Sequence, residues 1–338
     1  MTLGQIADCS PQDLLETDAA GRPTDAVVAI DADASATEEQ LVRAVRVLAE
    51  CRAIVVVAGS HGPDPRVLDV ADICLTPSGG PPTAGVTVDD AVHAIHGLRA
   101  AVNAHPVAAL SLAWLLRGSD RLSVRDALVM ESATYSMLLA GSEFASWLRR
   151  RGAPRPADDR KRIRLARTDD TLTIALARPA RRNAMDALMR DALVEALAIA
   201  EADPLLQVEL RAEGPAFSAG GDLDEFGTAT DVALAHLVRT LAGPGAAIDR
   251  ISDRVTARVH GLCAGAGVEV PAFAGHVVAD ADAAFVLPEL SMGLIPGAGG
   301  TVSIPRRIGR HRTLWLALSG TRIDAATSVD WGLVDAIG

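Results

Sequence analysis

Val259–Val270 reads V-H-G-L-C-A-G-A-G-V-E-V, and Phe285–Thr301 reads F-V-L-P-E-L-S-M-G-L-I-P-G-A-G-G-T. Each stretch places one glutamate, Glu269 or Glu289, in a tightly turned apolar setting. Removing a carboxylate from water is expensive, so residues placed like this are paired or functional. Two of them in neighbouring segments point to acid/base chemistry on a small polarised substrate. Taken singly, each also reads as a glutamate at a helix start, interacting with the helix dipole.

Upstream lies G-P-A-F-S-A-G-G-D-L-D-E-F (Gly214–Phe226). The small residues Ser218–Gly221 let the backbone approach a ligand and present N–H groups. Asp222 is placed to cap a helix whose N-terminus can hold negative charge. The run has neither the lysine of a phosphate loop nor the G-x-G-x-x-G spacing of a dinucleotide site. A second small-residue run, A-G-A-G (Ala264–Gly267), comes just before Glu269. Two such loops, each following a strand, can aim two backbone amides at one carbonyl oxygen.

The flanking pattern sets the fold class. Leu172–Ala177 reads as a strand, Ala187–Glu201 as a helix with Leu188, Leu193, Leu197 and Ile199 apolar, and Val208–Arg211 as a strand. Strand, helix, strand at this spacing predicts a βαβ unit and a parallel sheet. The first half repeats the opening, with a strand at Ala26–Ile30, a helix at Thr37–Cys51 and a strand at Ile54–Ala58. This reads as a diverged internal duplication or as two unrelated βαβ units. Turn-rich runs come next, at Gly59–Pro65 and Thr76–Thr83. Helical sequence then extends from Val88 through Trp147, broken near His105-Pro106 and Gly118–Asp120. The Pro- and charge-rich run Arg149–Arg162 reads as a linker or an irregular surface loop. The expected organisation is 1–150, a linker over 151–162, and 163–338.

Composition narrows the function. The net charge of -11 argues against a nucleic-acid partner. Lys161 is the only lysine, and it sits in a charged run, so Schiff-base chemistry is not expected. Cys9, Cys51, Cys74 and Cys263 are scattered, as suits thiols in a reducing compartment, and no metal-ligand spacing surrounds His61 or His260. No apolar run reaches membrane-spanning length and no signal peptide opens the chain, so the expectation is a soluble cytoplasmic protein with no membrane partner. Asn183, after the first strand of the second half, is expected to help turn the chain.

The runs Gly214–Phe226, His260–Glu269 and Leu287–Thr301, in this order and spacing, resemble the enoyl-CoA hydratase/isomerase (crotonase) superfamily from about Ile163 onward. The resemblance implies an α/β fold with a repeated ββα spiral core, assembled as a homo-oligomer (trimer or hexamer). It implies an acyl-CoA substrate and no separate cofactor or metal, coenzyme A being part of the substrate. The oxyanion hole falls on the amides of Gly221 and Ala266, the latter an alanine where the family has glycine. The catalytic carboxyls of hydratase members map onto Glu269 and Glu289. Substrate contacts are expected around Ala219, Gly220, Asp222, Leu223, Gly265 and Gly297. The expected reaction is addition of water to a trans-2-enoyl-CoA. Isomerase or acyl-CoA hydrolase chemistry, or a non-catalytic subunit, are the alternatives.

One departure matters. Members of the family continue past W-G-L-V-D-A-I with closing helices, where this chain ends at Gly338. Gly97–Gly118 and Val124–Trp147 resemble such a closing segment. The first half is therefore expected to be a degenerate crotonase-like half whose helices cover the site, within a chain or between chains. Arg117, Arg121 and Arg125 would then meet nucleotide phosphates or remain solvated helix-face charges.

Overall fold

The runs V-V-A-I-D and I-V-V-V-A are apolar on both faces, so they belong in a parallel sheet covered on both sides. A computed structural model of the protein, describing residues 1–77, 85–156 and 160–338, places them as β1 (Val27–Asp31) and β2 (Ile54–Ala58). They pair in parallel from Val27–Ile54 to Asp31–Ala58. Between them runs α1 (Glu38–Glu50), opened by a capping box in which Thr37 and Gln40 satisfy each other's backbone N–H. Next come α2 (Pro65–Val70), β3 (Ile73–Thr76) and β4 (Val86–Thr87), giving a parallel sheet ordered β1-β2-β3-β4. Most of the predicted turn at Thr76–Thr83 lies outside the described residues. Helices α3 (Ala91–Ala104) and α4 (Pro106–Ser119) are separated at Pro106, which cannot continue the preceding helix.

Residues 1–118 and 309–319 form one compact unit, with Ile6, Ile30, Leu48, Val55 and Val57 in its core. Arg117 is engaged there. It donates to buried Asp72 at 2.6 Å and to the carbonyls of Cys51 and Ala53 at 2.7 Å each. It is neither a free phosphate ligand nor a solvated charge, whereas Arg121 and Arg125 are exposed.

Residues 119–308 and 320–338 form the second unit. The boundary thus falls at 118/119, not in the run Arg149–Arg162, of which 157–159 lie outside the described residues. The cause is α5 (Val124–Leu139) and α6 (Ser142–Arg151), which bury Glu131, Ser132, Ser136 and Phe144 within this unit. Ser132 donates to the His236 carbonyl and Ser136 to that of Val232. The linker composition marks an exposed stretch, but the packing partner is decided by these buried side chains.

Strands β5 (Ile163–Thr168) and β6 (Thr171–Leu176) form an antiparallel hairpin. The predicted βαβ unit is completed by β6, α7 (Ala187–Ala202) and β7 (Gln207–Ala212), parallel as expected. After α8 (Val232–Leu241) and α9 (Pro244–Asp249) come β8 (Val255–Val259), β9 (Leu262–Ala264) and α10 (Ala266–Glu269), then β10 (His276–Ala279) and β11 (Ala284–Val286). The chain continues with α11 (Gly300–Ser319), β12 (Ile323–Asp324), α12 (Ala325–Trp331) and β13 (Ala336–Ile337). Gly309, at φ 79°, breaks α11 into two helices. One sheet runs β13-β10-β8-β7-β6-β5, and a smaller one runs β9-β11-β12. Among the described residues no helix is long and apolar enough to cross a membrane.

Each turn of this chain supplies one strand to the large sheet and one segment to the small one. β8 leads into β9 and β10 into β11, while β7 leads into 216–218, bridged to Gly261 and Cys263. The segments stack through Phe217 N–H to His260 O (2.9 Å), Ala264 N–H to Ser218 O (2.9 Å) and Gly265 N–H to Val286 O (3.0 Å). The residues just beyond each segment are therefore brought to one place: 219–222, then 265–269, then Glu289. This is the ββα spiral that the three motifs imply.

A buried ionic cluster holds the first of these loops. Arg162 pairs with Asp186 at 2.7 Å, and Arg178 pairs with Asp222 at 2.5 Å and Asp186 at 3.3 Å. Met185 N–H donates to Gly220 O and Asp222 N–H to Met185 O. Asn183, at φ 52°, accepts from Arg178 N–H and donates to the carbonyls of Glu213 and Ala216. Removing one member of a buried pair strands the other charge. Arg178→Leu should therefore destabilise this unit by about 3–5 kcal/mol, and Arg178→Leu with Asp222→Leu by clearly less than the sum of the single changes. Chemical denaturation of the three variants measures this.

Candidate active site

Glu269 ends α10, and the turn before it depends on Gly265, at φ 46° and ψ -118°. A side chain is strained in that conformation. Space excludes one as well, since a Cβ there would lie 2.3 Å from Glu289 Oε1 and 3.8 Å from Glu269 Oε1. The two carboxyls thus converge over the bare face of Gly265. Glu269 is 2% exposed and Glu289 8%. Glu289 starts a single 3-10 turn, Glu289–Met292, which Gly293 ends at φ 71°.

Their surroundings differ. Glu269 Oε2 accepts the N–H groups of Ala298 (2.7 Å) and Gly300 (2.9 Å), at the start of α11. Among the described residues, buried Glu289 Oε2 has no partner. Burial pushes Glu289 up to about 8, and the charge of Glu131 adds to the push. Burial, then the charges of Glu289 and Glu131, raise Glu269 well above the usual carboxylate range, while its two amides pull the other way. With Oε2 occupied by two N–H donors, Glu269 is the better seat for the negative charge, and Glu289 for the proton. The two titrate as a pair.

Glu131 is the residue that sequence reasoning missed. It comes from α5, is 2% exposed, and accepts N–H from Gly299 (2.7 Å) and Thr301 (2.9 Å) and the Thr301 hydroxyl (2.7 Å). Burial pushes it up to about 7 against those hydrogen bonds and the nearby Arg239. A signal existed, because Ala127, Glu131 and Leu138 lie on one buried face of the helix.

The amides predicted to form an oxyanion hole are unoccupied. Ala219 N–H donates to Arg182 O, Gly220 N–H to Ser218 Oγ and Asp222 N–H to Met185 O. Gly221 N–H, between them, has no partner among the described residues, and neither has Ala266 N–H at the start of α10. Gly220, at φ 91°, seats the two loops against each other, since a Cβ on it would lie 2.9 Å from Ala264 O and 3.7 Å from Ala266 N. Two adjacent loops thus each present a free donor.

One expectation is corrected. Asp222 caps a turn at 223–227 in place of a helix, its Oδ1 accepting the Asp224 N–H at 3.1 Å while Oδ2 pairs with Arg178, and the next helix, α8, is capped by Asp231. Gly297 makes room for a side chain of the protein itself, a Cβ there lying 2.3 Å from Tyr135 Cδ2. Leu223 is 43% exposed beside the loop, its carbonyl accepting from Arg151. Helices α5 and α6 cover the surroundings within the same chain. Besides Tyr135 over Gly297, Glu143 packs on Gly293 and Leu148 on Gly227, and the Trp147 and Phe226 rings lie 6.1 Å apart. His260 bonds the Gly214 carbonyl, and His61 is exposed.

The buried carboxyls make folding depend on pH. A carboxyl raised in the folded state keeps a proton that the unfolded chain, near 4.5, has released. The stability this contributes is full below the unfolded value and is lost as pH rises through about 7 and about 8. The melting temperature should fall between about pH 5 and about pH 8 and level off above that, and Glu289→Gln should fall less over that interval. Parallel melting curves would contradict the assignment.

Comparison with known proteins places this site in a family. The enoyl-CoA hydratase/isomerase family profile matches residues 167–338. The chain is 34% identical over 175 residues to 1,2-epoxyphenylacetyl-CoA isomerase of Escherichia coli K12, covering 48% of this chain and 64% of that protein. It spans less than two thirds of that relative. It is 34% identical over 174 residues to 2,3-dehydroadipyl-CoA hydratase of the same organism, covering 51% and 68%. Among solved structures it is similar to an enoyl-CoA hydratase from Thermoplasma volcanium GSS1, with 30% identity, 53% and 72% coverage and a TM-score of 0.49. The match spans both free amides and both converging glutamates, and the chain belongs to the enoyl-CoA hydratase/isomerase family.

Proposed function

We propose that this chain hydrates a trans-2-enoyl-CoA. The observation that carries the reading is the pairing of two buried carboxyls over Gly265 with two unoccupied amides on adjacent loops. One amide pair can hold a thioester carbonyl, and two carboxyls of opposite protonation can hold a water between them. Double-bond isomerisation by proton transfer can be served by one carboxyl, so the second favours hydration.

The chemistry balances on one proton. Gly221 and Ala266 N–H groups take up negative charge developing on the thioester oxygen, which makes the β-carbon electrophilic. The water oxygen bonds to the β-carbon as its proton passes to ionised Glu269. The α-carbon takes the proton of Glu289. Transfer of the new proton from Glu269 to Glu289 restores the starting state, with one water consumed and a 3-hydroxyacyl thioester formed.

Loss of the conjugated enoyl absorbance of crotonyl-CoA tracks the reaction. Glu269→Gln and Glu289→Gln should each lower kcat by about 10²–10⁴-fold while acyl-CoA still binds. Conversion of a 3-enoyl-CoA without hydration would assign isomerase chemistry instead, and thiol release would assign hydrolysis. Absence of all three would leave a non-catalytic acyl-CoA-binding subunit.

A further inference from the structure

The start of α11 presents four consecutive backbone N–H groups, and two carboxyls divide them. Ala298 and Gly300 donate to Glu269, at 2.7 and 2.9 Å. Gly299 and Thr301 donate to Glu131, at 2.7 and 2.9 Å, and the Thr301 hydroxyl adds a third bond at 2.7 Å. Alternate amides face opposite sides, so rotation of this run to free one carboxyl would release the other. Gly300 leaves no slack, since a Cβ on it would lie 2.6 Å from Glu269 Cγ. Hydrogen bonds to an ionised acceptor are the strong ones, so a charged Glu131 holds the run more firmly than a neutral amide side chain could.

We infer that Glu131 is a positioning residue for Glu269, clamping from the second side the run of amides that holds the Glu269 carboxylate. The inference rests on the hydratase reading for the role of Glu269, while the clamp is geometric. The groups facing Glu131 are Thr301 from α11, Arg239 from α8, Tyr135 from its own helix, and the carboxyls of Glu269 and Glu289. Arg239 lies over the Tyr135 ring, 5.0 Å from its centroid, and favours the charged form of Glu131. The Glu131 charge in turn raises Glu269.

Glu131→Gln keeps the size and removes the charge. With the full chain and crotonyl-CoA, kcat should fall about tenfold or more with KM within about twofold. The amide protons of Ala298 and Gly300, which donate to Glu269, should shift upfield and exchange faster in the folded variant. A structural role alone would lower the folded fraction and leave those signals of the folded molecules in place. Unmoved amide signals, or kcat within about twofold of wild type, would overturn the inference. If the Gln variant does not fold, Thr301→Val removes one donor and keeps the amide. It should lower kcat by a smaller factor, and unchanged kcat there counts against the clamp. If wild type does not hydrate crotonyl-CoA, the hydratase reading has failed. The Ala298 and Gly300 amide signals then decide without substrate, with a shift and faster exchange in Glu131→Gln supporting the clamp and unchanged signals overturning it.

Discussion

Three carboxyl groups buried in one small volume are the constraint on which the second unit is organised. Charges without water must be met by fixed dipoles or carry protons, and both occur here. The four amides opening α11 serve Glu269 and Glu131, which fixes where that helix starts and which strands of chain approach it. Glu289 receives no such help at Oε2, so it is the member that retains a proton. The glycines at 265 and 300 answer the same constraint, because side chains there would occupy the space of the carboxyls.

The spiral explains how residues spread from 219 to 301 come to act together. Every turn lays one segment on the last, and the residue just beyond each segment faces the same point. Gly221, Ala266 with Glu269, and Glu289 occupy equivalent places on successive turns. A spiral of this kind lets backbone amides be left free by geometry instead of by exposure. In the first loop the amides on either side of Gly221 are bonded, and its own N–H remains open.

Sequence legibility tracked the physics of each signal. The βαβ unit was readable because α7 carries helical apolar spacing and its flanking strands are β-branched and apolar. Strand β5 was not, since five of its six residues are exposed and no alternation marks R-L-A-R-T. The three-residue strands β9 and β11 are too short for any period to register. Glu269, Glu289, Gly221 and Ala266 were found because glycine-rich sequence announces close backbone approach. Glu131 was lost in an ordinary helix, where a carboxyl on the buried face looks like any surface glutamate until its partners 168 and 170 residues away are known. The division at 118/119 was hidden for the same reason, as composition reports exposure and not which core a helix joins.

The central claim is that Gly221 and Ala266 present two free N–H groups to one thioester oxygen. Infrared difference spectroscopy of a bound, isotope-labelled acyl-CoA reads that carbonyl directly. Polarisation by two amides predicts a carbonyl stretch clearly below its position for the same thioester in water. A bound thioester with an unshifted stretch would contradict the account, whatever the fate of the double bond.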